Sequence, residues 1–357
     1  MSLDTESAVL DRYTAGAKNV QESLCCPVDY DSSLLAILPR EIIERDYGCG
    51  DPSRYVCKGD TVLDLGSGGG KICYMAAQLV GRNGRVIGID MNDEMLELAR
   101  KYQSAMAARL GGNRVEFLKG KIQDLALDVA ASQDWIEQYS NAEHPDLNKL
   151  GQREAEQKQT RPLIADASVD LVISNCVLNL VADFEKRQMV EEIFRVLKPG
   201  GRIAISDIIS DRPVPADMKN DPELWSGCIS GAFHEAEMPA VFAAAGFKSV
   251  IYDKWDVQPW QVVDGIEFRS VTLTAIRPAI DNGTEDRHTL VYRGPFESVT
   301  DEAGNCYRRG MRFTVSADRY RILTGPAYGG AFIDLTAGNE ANPGSCATGT
   351  SSGGCCG

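Results

Sequence analysis

From residue 60 onward, short apolar runs alternate with longer amphipathic stretches. Residues 61–65 form one such run, 66–70 a glycine-rich turn, and 72–80 a segment with helical spacing of its apolar positions. Further apolar runs at 85–89, 115–119, 169–174 and 202–206 repeat the strand signal, with amphipathic segments at 93–110 and 185–197 between them. Val169-Asp170-Leu171-Val172-Ile173-Ser174 is apolar almost throughout, which suits a strand covered on both faces. Strand alternating with helix predicts an α/β fold built on a parallel sheet with right-handed crossovers. A helical segment at 239–246 and strands at 248–254 and 270–277 bring the expected sheet to seven strands, mostly parallel, with helices on both faces.

The flanks differ in pattern. Residues 1–58 read as a helical N-terminal arm, in which Pro39 interrupts an amphipathic stretch at 33–46. The arm ends in the loop Tyr47-Gly48-Cys49-Gly50-Asp51-Pro52. Residues 125–166 break the alternation of the central region, 59–280. They are polar and charged, with Trp135, Ile136 and Tyr139 as apolar anchors, and read as a helical insertion, either a lid or a solvated excursion. Residues 288–335 read as a small β-rich appendage with strands at 289–292, 306–308, 312–315 and 320–323. The tail, 336–357, is largely Gly, Ser, Thr and Asn with three cysteines, a composition that cannot offset the entropy of ordering, so disorder is expected.

Composition narrows the class. A chain of 357 residues, 43% hydrophobic, can bury a large core. No apolar run reaches the roughly 18 residues a membrane span needs, and residues 1–19 lack an apolar signal core, so the expectation is a cytoplasmic protein off the membrane. The net charge of -14 argues against a general nucleic-acid binder, which needs a basic face. No sustained heptads appear, which agrees with a monomer. Eleven cysteines in a long chain of ordinary core composition point to buried or ligating thiols rather than a disulfide scaffold, and three histidines are too few for a His-rich metal site.

The chemistry gathers at the carboxyl ends of the predicted strands. Val62-Leu63-Asp64-Leu65-Gly66-Ser67-Gly68-Gly69-Gly70-Lys71 joins a strand to a helix through glycines, which let backbone approach a ligand. It departs from a dinucleotide fingerprint, because Lys71 stands where the last glycine belongs. The next strand ends in Asp90, an acid placed to accept hydrogen bonds from two ribose hydroxyls, although a plain turn acid is the simpler alternative. Three cysteines fall at the same edge: Cys49 in the loop before the first strand, Cys176 directly after the fourth, and Cys228 after the fifth. Each alone reads as a small buried hydrophobe. Three converging on one crevice form a soft donor set, which selects a soft acceptor. No His or Glu base accompanies them.

Strand, acid, glycine turn, strand, acid together resemble the S-adenosylmethionine-dependent class I methyltransferases, with their Rossmann-like fold, across roughly residues 60–278. That resemblance implies that Asp64, Gly66 and Gly68 line the methionine and ribose part of the cofactor. It implies that Asp90, with Met91 beside it, holds the ribose and that Ile122 and Gln123 flank the adenine, Ile122 as ordinary core being the alternative. Asn175 is expected to face the reacting methyl and Tyr47 to set its ring against the sulfonium. The motifs Tyr47-Gly48-Cys49-Gly50, Ile173-Ser174-Asn175-Cys176-Val177-Leu178-Asn179-Leu180 and Gly227-Cys228-Ile229-Ser230-Gly231-Ala232 are more specific, and resemble the arsenite methyltransferases. By that resemblance Cys49, Cys176 and Cys228 bind trivalent arsenic, supplied as arsenite or its thiol adducts. An N-terminal cysteine, Cys25 or Cys26 with Cys26 preferred, pairs with the loop cysteine during turnover, and thioredoxin or glutathione restores the thiols. The glycine turn departs from the Gly-Cys-Gly-Thr-Gly-Arg more usual in that family, and the insertion is longer. Two other readings account for the same residues: a methyltransferase for another small acceptor with structural cysteines, and a metalloid-binding protein without turnover.

Overall fold

The computed structural model of the chain describes residues 4–21, 28–45, 47–139, 146–279 and 287–336. Cys25, Cys26 and the tail cysteines Cys346, Cys355 and Cys356 lie outside the described residues. The central sheet takes its order from apolar strands that must be covered on both faces. It comprises β1 (Thr61–Leu65), β2 (Arg85–Asp90), β3 (Val115–Lys119), β4 (Val169–Asn175), β5 (Leu197–Ser210), β6 (Phe233–His234), β7 (Lys248–Trp255), β8 (Gln261–Val263) and β9 (Ile266–Ile276). The main path runs β3-β2-β1-β4-β5-β9-β7. Pairings from β3 to β5 are parallel, and β9 lies antiparallel between β5 and β7. The two short strands β6 and β8 pair off this path, so the sheet has nine strands rather than the seven expected.

Side-chain alternation divides the core. Leu63 and Leu65 of β1 and Val172 of β4 pack with Ile193 and Phe242 under the helices Lys186–Val196 and Glu237–Ala244. Val62, Leu171 and Ile173 point the other way, against Ile72, Met75 and Leu96 of the helices Lys71–Leu79 and Asp93–Lys101. Fully burying each such side chain stabilises by about 1.5–3 kcal/mol.

Several elements differ from the sequence expectation. The segment 93–110 is two helices, Asp93–Lys101 and Gln103–Leu110, meeting at Tyr102, whose hydroxyl donates to Glu41 of the arm. The stretch around Pro39 forms two short helices, Ser32–Leu35 and Arg40–Glu44, with Pro39 as the N-cap of the second, where its missing N–H costs nothing. The insertion holds two helices, Val129–Tyr139 and Leu147–Thr160; Trp135 is buried and Ile136 exposed. Residues 320–323 belong to the helix Ala317–Thr324, not to a strand. Ser316 caps it by accepting from the Arg319 N–H, and Tyr320 and Leu323, three apart, turn to one small core.

That small core belongs to the C-terminal part: β10 (Arg287–Tyr292), β11 (Ser298–Thr300), β12 (Cys306–Arg308), β13 (Arg312–Ser316) and β14 (Phe332–Asp334). β13-β10-β14 form one antiparallel sheet and β11-β12 a hairpin. Leu290, Tyr292, Tyr307, Leu323 and Phe332 pack between them. Ser249 of β7 donates its N–H to Glu302, a direct link to the main sheet. Among the described residues no helix is long and apolar enough to cross a membrane.

Candidate functional site

The glycine turn after β1 is shaped by backbone that few other residues tolerate. Gly66, Gly68 and Gly70 have φ of +67°, +50° and +88°. A Cβ on Gly66 would stand 2.4 Å from the Val177 side chain. The Gly68 N–H donates to one oxygen of Asp90 at 2.8 Å, and the other oxygen accepts from the Asn92 N–H at 2.9 Å. Asp90 thus braces both the turn and the end of β2. Here the sheet opens into a cleft of about 910 Å³, reaching into open solvent. Tyr47, Gly66, Gly68, Asp90, Met91, Ile122 and Gln123, all expected at a cofactor, line it, and so does Cys176.

Two expected cofactor residues, Asp64 and Asn175, are not among those that line this cleft. Asp64 is buried within β1 and accepts from the Cys73 thiol at 3.2 Å. Asn175, at the end of β4, is turned toward the arm. Its Oδ1 accepts from the N–H groups of Cys49 and Gly50 at 2.9 and 3.0 Å, and its Nδ2 donates to the Tyr30 hydroxyl at 3.2 Å. A Cβ on Gly48 would fall 2.2 Å from that amide, and one on Gly50 would fall 2.4 Å from Ser206. The glycines around Cys49 therefore let the loop press against β4 and β5, and Ser270 seals it by donating to the Cys49 carbonyl at 2.6 Å.

The three cysteines share one buried cluster with Ile208, Met218, Ile229 and Phe268. Their exposures are 1% for Cys49, 8% for Cys176 and 4% for Cys228. Cys176 and Cys228 have φ of +65° and +62°, the left-handed region where a non-glycine residue costs roughly 1–3 kcal/mol. The Cys176 N–H reaches the Ser206 carbonyl at 2.8 Å, and the Cys228 thiol donates to the Cys176 carbonyl at 3.1 Å. Two strained turns thus meet sulfur to carbonyl.

The sulfurs of Cys49 and Cys176 and a carboxylate oxygen of Asp207 all lie within 4.8 Å of one another; Cys228 is not one of that set. Sequence reasoning missed Asp207, although an acid at the carboxyl edge of β5 was visible. It is fully buried, and that burial pushes its pKa up to about 6 against the opposing pull of the Ile208 and Leu178 N–H groups and of Lys186. The arm was expected to be helical, but the part its helix Thr5–Lys18 plays in the site was missed. Thr5, Glu6, Val9, Leu10 and Tyr13 wall the cleft along one helical face. The Tyr13 hydroxyl lies 4.0 Å from the Cys228 sulfur, and its ring meets Tyr47 edge-on at 6.1 Å. Tyr47 clamps the helix in turn, donating to the Gly16 carbonyl at 3.1 Å and accepting from the Gln21 N–H at 2.9 Å. Burial raises the Tyr13 pKa, helped by the neighbouring thiols, and keeps the phenol neutral.

Comparison with known proteins bears on this arrangement. Residues 57–141 and 139–246 match the profile of a methyltransferase domain, and residues 280–352 match a domain of unknown function. An arsenite methyltransferase of Aquipseudomonas alcaligenes is 32% identical over 330 residues, covering 86% of this chain and 83% of that protein. One from Halobacterium salinarum is 35% identical over 244 residues, 66% of this chain, and the match spans 51% of that longer protein. The crystal structure of an arsenic (III) S-adenosylmethionine methyltransferase from Chlamydomonas reinhardtii superposes with a TM-score of 0.57 at 27% identity, covering 87% of this chain and 98% of that one.

Proposed function

Because the chain belongs to the arsenite methyltransferase family of S-adenosylmethionine-dependent methyltransferases, we propose that it transfers a methyl group to trivalent arsenic held by Cys49, Cys176 and Cys228. The cofactor fits the cleft. A Cβ on Gly66 would fill its cradle, Asp90 offers a carboxylate for ribose hydroxyls, and Ile122 with Gln123 form the far wall. When bound there, S-adenosylmethionine supplies an electrophilic methyl on a sulfonium.

Arsenite enters by exchange. Each thiol gives its proton to a departing hydroxyl, so three As–O bonds break, three As–S bonds form, and three waters leave. Thiolate sulfur selects a soft acceptor, and three of them around arsenic leave its lone pair on the opposite side. That lone pair carries no proton, so the reaction needs no general base. The chain's residues then act by placement. Asn175 and Ser270 fix the Cys49 loop, the backbone at Cys176 and Cys228 fixes the other two sulfurs, and Tyr13 and Tyr47 separate the acceptor from water. The single observation that carries the reading is the burial of the three cysteines in one cluster that reaches the wall of the cleft through Cys176. Methyl transfer leaves arsenic pentavalent; two thiols would return it to the trivalent state by closing to a disulfide, which thioredoxin or glutathione would then reduce, and we infer arsenic detoxification as the role of this chemistry. Cys26, the expected partner of the loop cysteine in turnover, lies outside the described residues.

The test is methyl transfer from labelled S-adenosylmethionine to arsenite with excess reduced glutathione. Methylated arsenic from the native chain and none from Cys176→Ser is the expected result. Cofactor binding without any arsenic product would overturn the proposal and direct the search to organic acceptors.

A further inference from the structure

Asp207 is not needed to hold arsenic, which three thiolates saturate, yet it stands buried among the ligating sulfurs. Its oxygen and the sulfurs of Cys49 and Cys176 lie within 4.8 Å of one another, while Cys228 turns its thiol to a carbonyl. A tetrahedral zinc ion, with bonds of about 2.3 Å to sulfur and about 2.0–2.2 Å to oxygen, places two sulfurs roughly 3.8 Å apart and sulfur and oxygen roughly 3.5 Å apart. The three atoms come within about 1.3 Å of those separations, and a larger soft cation such as cadmium needs less closure. Cys49 and Asp207 are held by backbone contacts that already orient them: Cys49 through Asn175, and Asp207 through the N–H groups of Leu178 and Ile208.

We propose that Cys49, Cys176 and Asp207 form a second, overlapping site that takes a soft divalent cation, zinc or cadmium, in competition with arsenic. The donor sets separate the two ligands. Arsenic takes three sulfurs, whereas a divalent cation takes two sulfurs and a carboxylate and keeps a fourth position open. Binding the cation releases two thiol protons to solvent, and no electron is transferred. A seated cation holds Cys49 and Cys176 away from arsenite, so it acts as an inhibitor. The inference shares two cysteines with the arsenic reading but does not require turnover.

Cadmium chloride is the probe, titrated into the reduced full chain carrying Cys346→Ser, Cys355→Ser and Cys356→Ser to remove tail thiols. The ultraviolet thiolate-to-cadmium charge-transfer band and equilibrium dialysis give affinity and stoichiometry. In this background Asp207→Asn should weaken cadmium at least tenfold, since loss of even an outer-shell partner costs about 10–100-fold. Cys228→Ser should keep cadmium within about threefold while losing arsenite, the reverse of what a three-thiolate cation site requires. Cadmium affinity untouched by Asp207→Asn overturns the proposal. So does Cys228→Ser losing cadmium as steeply as arsenite, and this second arm decides the matter even where Asp207→Asn fails to fold. A chain that binds cadmium in this way but yields no methylated arsenic refutes the arsenic reading alone.

Discussion

Replacing Asn175 with Ala removes the acceptor that two buried N–H groups, those of Cys49 and Gly50, share. Each orphaned buried donor costs about 1–3 kcal/mol, so the seated loop is weakened by about 2–6 kcal/mol relative to one released into water. At the lower bound this is about 30-fold in the balance between the two. The cost falls on the segment that carries Cys49, whose side chain is 1% exposed when the loop is seated. Alkylation of Cys49, followed by peptide mass spectrometry, should therefore run at least tenfold faster in Asn175→Ala, and arsenite affinity should fall with it. Asn175→Asp keeps the acceptor and should stay near the native labelling rate, although it gives up the donor to Tyr30. Gly48→Ala attacks the same contact from the other side, through a Cβ 2.2 Å from the amide, and should copy Asn175→Ala. Native Cys49 labelling and native arsenite affinity in a folded Asn175→Ala protein would show that the hydrogen bonds do not position the loop.

Two further outcomes follow from the same geometry. Gly66→Ala forces a Cβ into Val177 at a φ of +67°, and should weaken S-adenosylmethionine by at least about tenfold, measured by calorimetry; unchanged affinity would remove the glycine cradle from the cofactor site. Asp207 sets a pH dependence of stability. Its folded pKa of about 6 lies above its ordinary 3.8, so the folded state binds the proton more tightly and stability is lost as pH rises between those values. At 1.36 kcal/mol per pH unit the full loss is about 3 kcal/mol. Asp207→Asn escapes it, so the stability difference between this variant and the native chain should shift in the variant's favour by about 1–2 kcal/mol from pH 5 to pH 8 in denaturant titrations. A difference that stays constant across that range would show that burial does not raise the pKa of this carboxyl.

How much was legible in the sequence depended on whether a feature was local. The strand runs, the glycine turn, Asp90 at the end of β2 and the three cysteines could be placed because period, turn chemistry and position at the strand ends are properties of neighbouring residues. The cleft-lining positions Tyr47, Gly66, Gly68, Asp90, Met91, Ile122 and Gln123 were expected at the cofactor from the resemblance those motifs carry. Locality also explains the errors. Residues 320–323, Tyr-Arg-Ile-Leu, are a short, largely apolar run, too short a window to separate strand from helix against a capping serine just upstream. Tyr102 reads as one more helical residue, yet the helix breaks there while its hydroxyl meets Glu41, 61 residues away.

Only the tertiary structure decided who stands beside whom in the site. Asn175 spans 126 residues to hold Cys49, and Tyr13 spans 215 to reach Cys228. Asp207 joins Cys49 and Cys176 because β4 and β5 lie in register, with Asn175 opposite Ser206. No periodicity encodes such pairings. They arise because nearly every buried N–H and carboxylate finds a partner once the sheet closes, and the partner is whichever group the folded backbone brings within reach. The chain's order of apolar and polar residues thus determined the sheet, the cofactor turn and the presence of a soft donor set; packing alone decided that an asparagine positions the first cysteine, that a tyrosine from the N-terminal helix approaches the third, and that a buried acid joins the first and second.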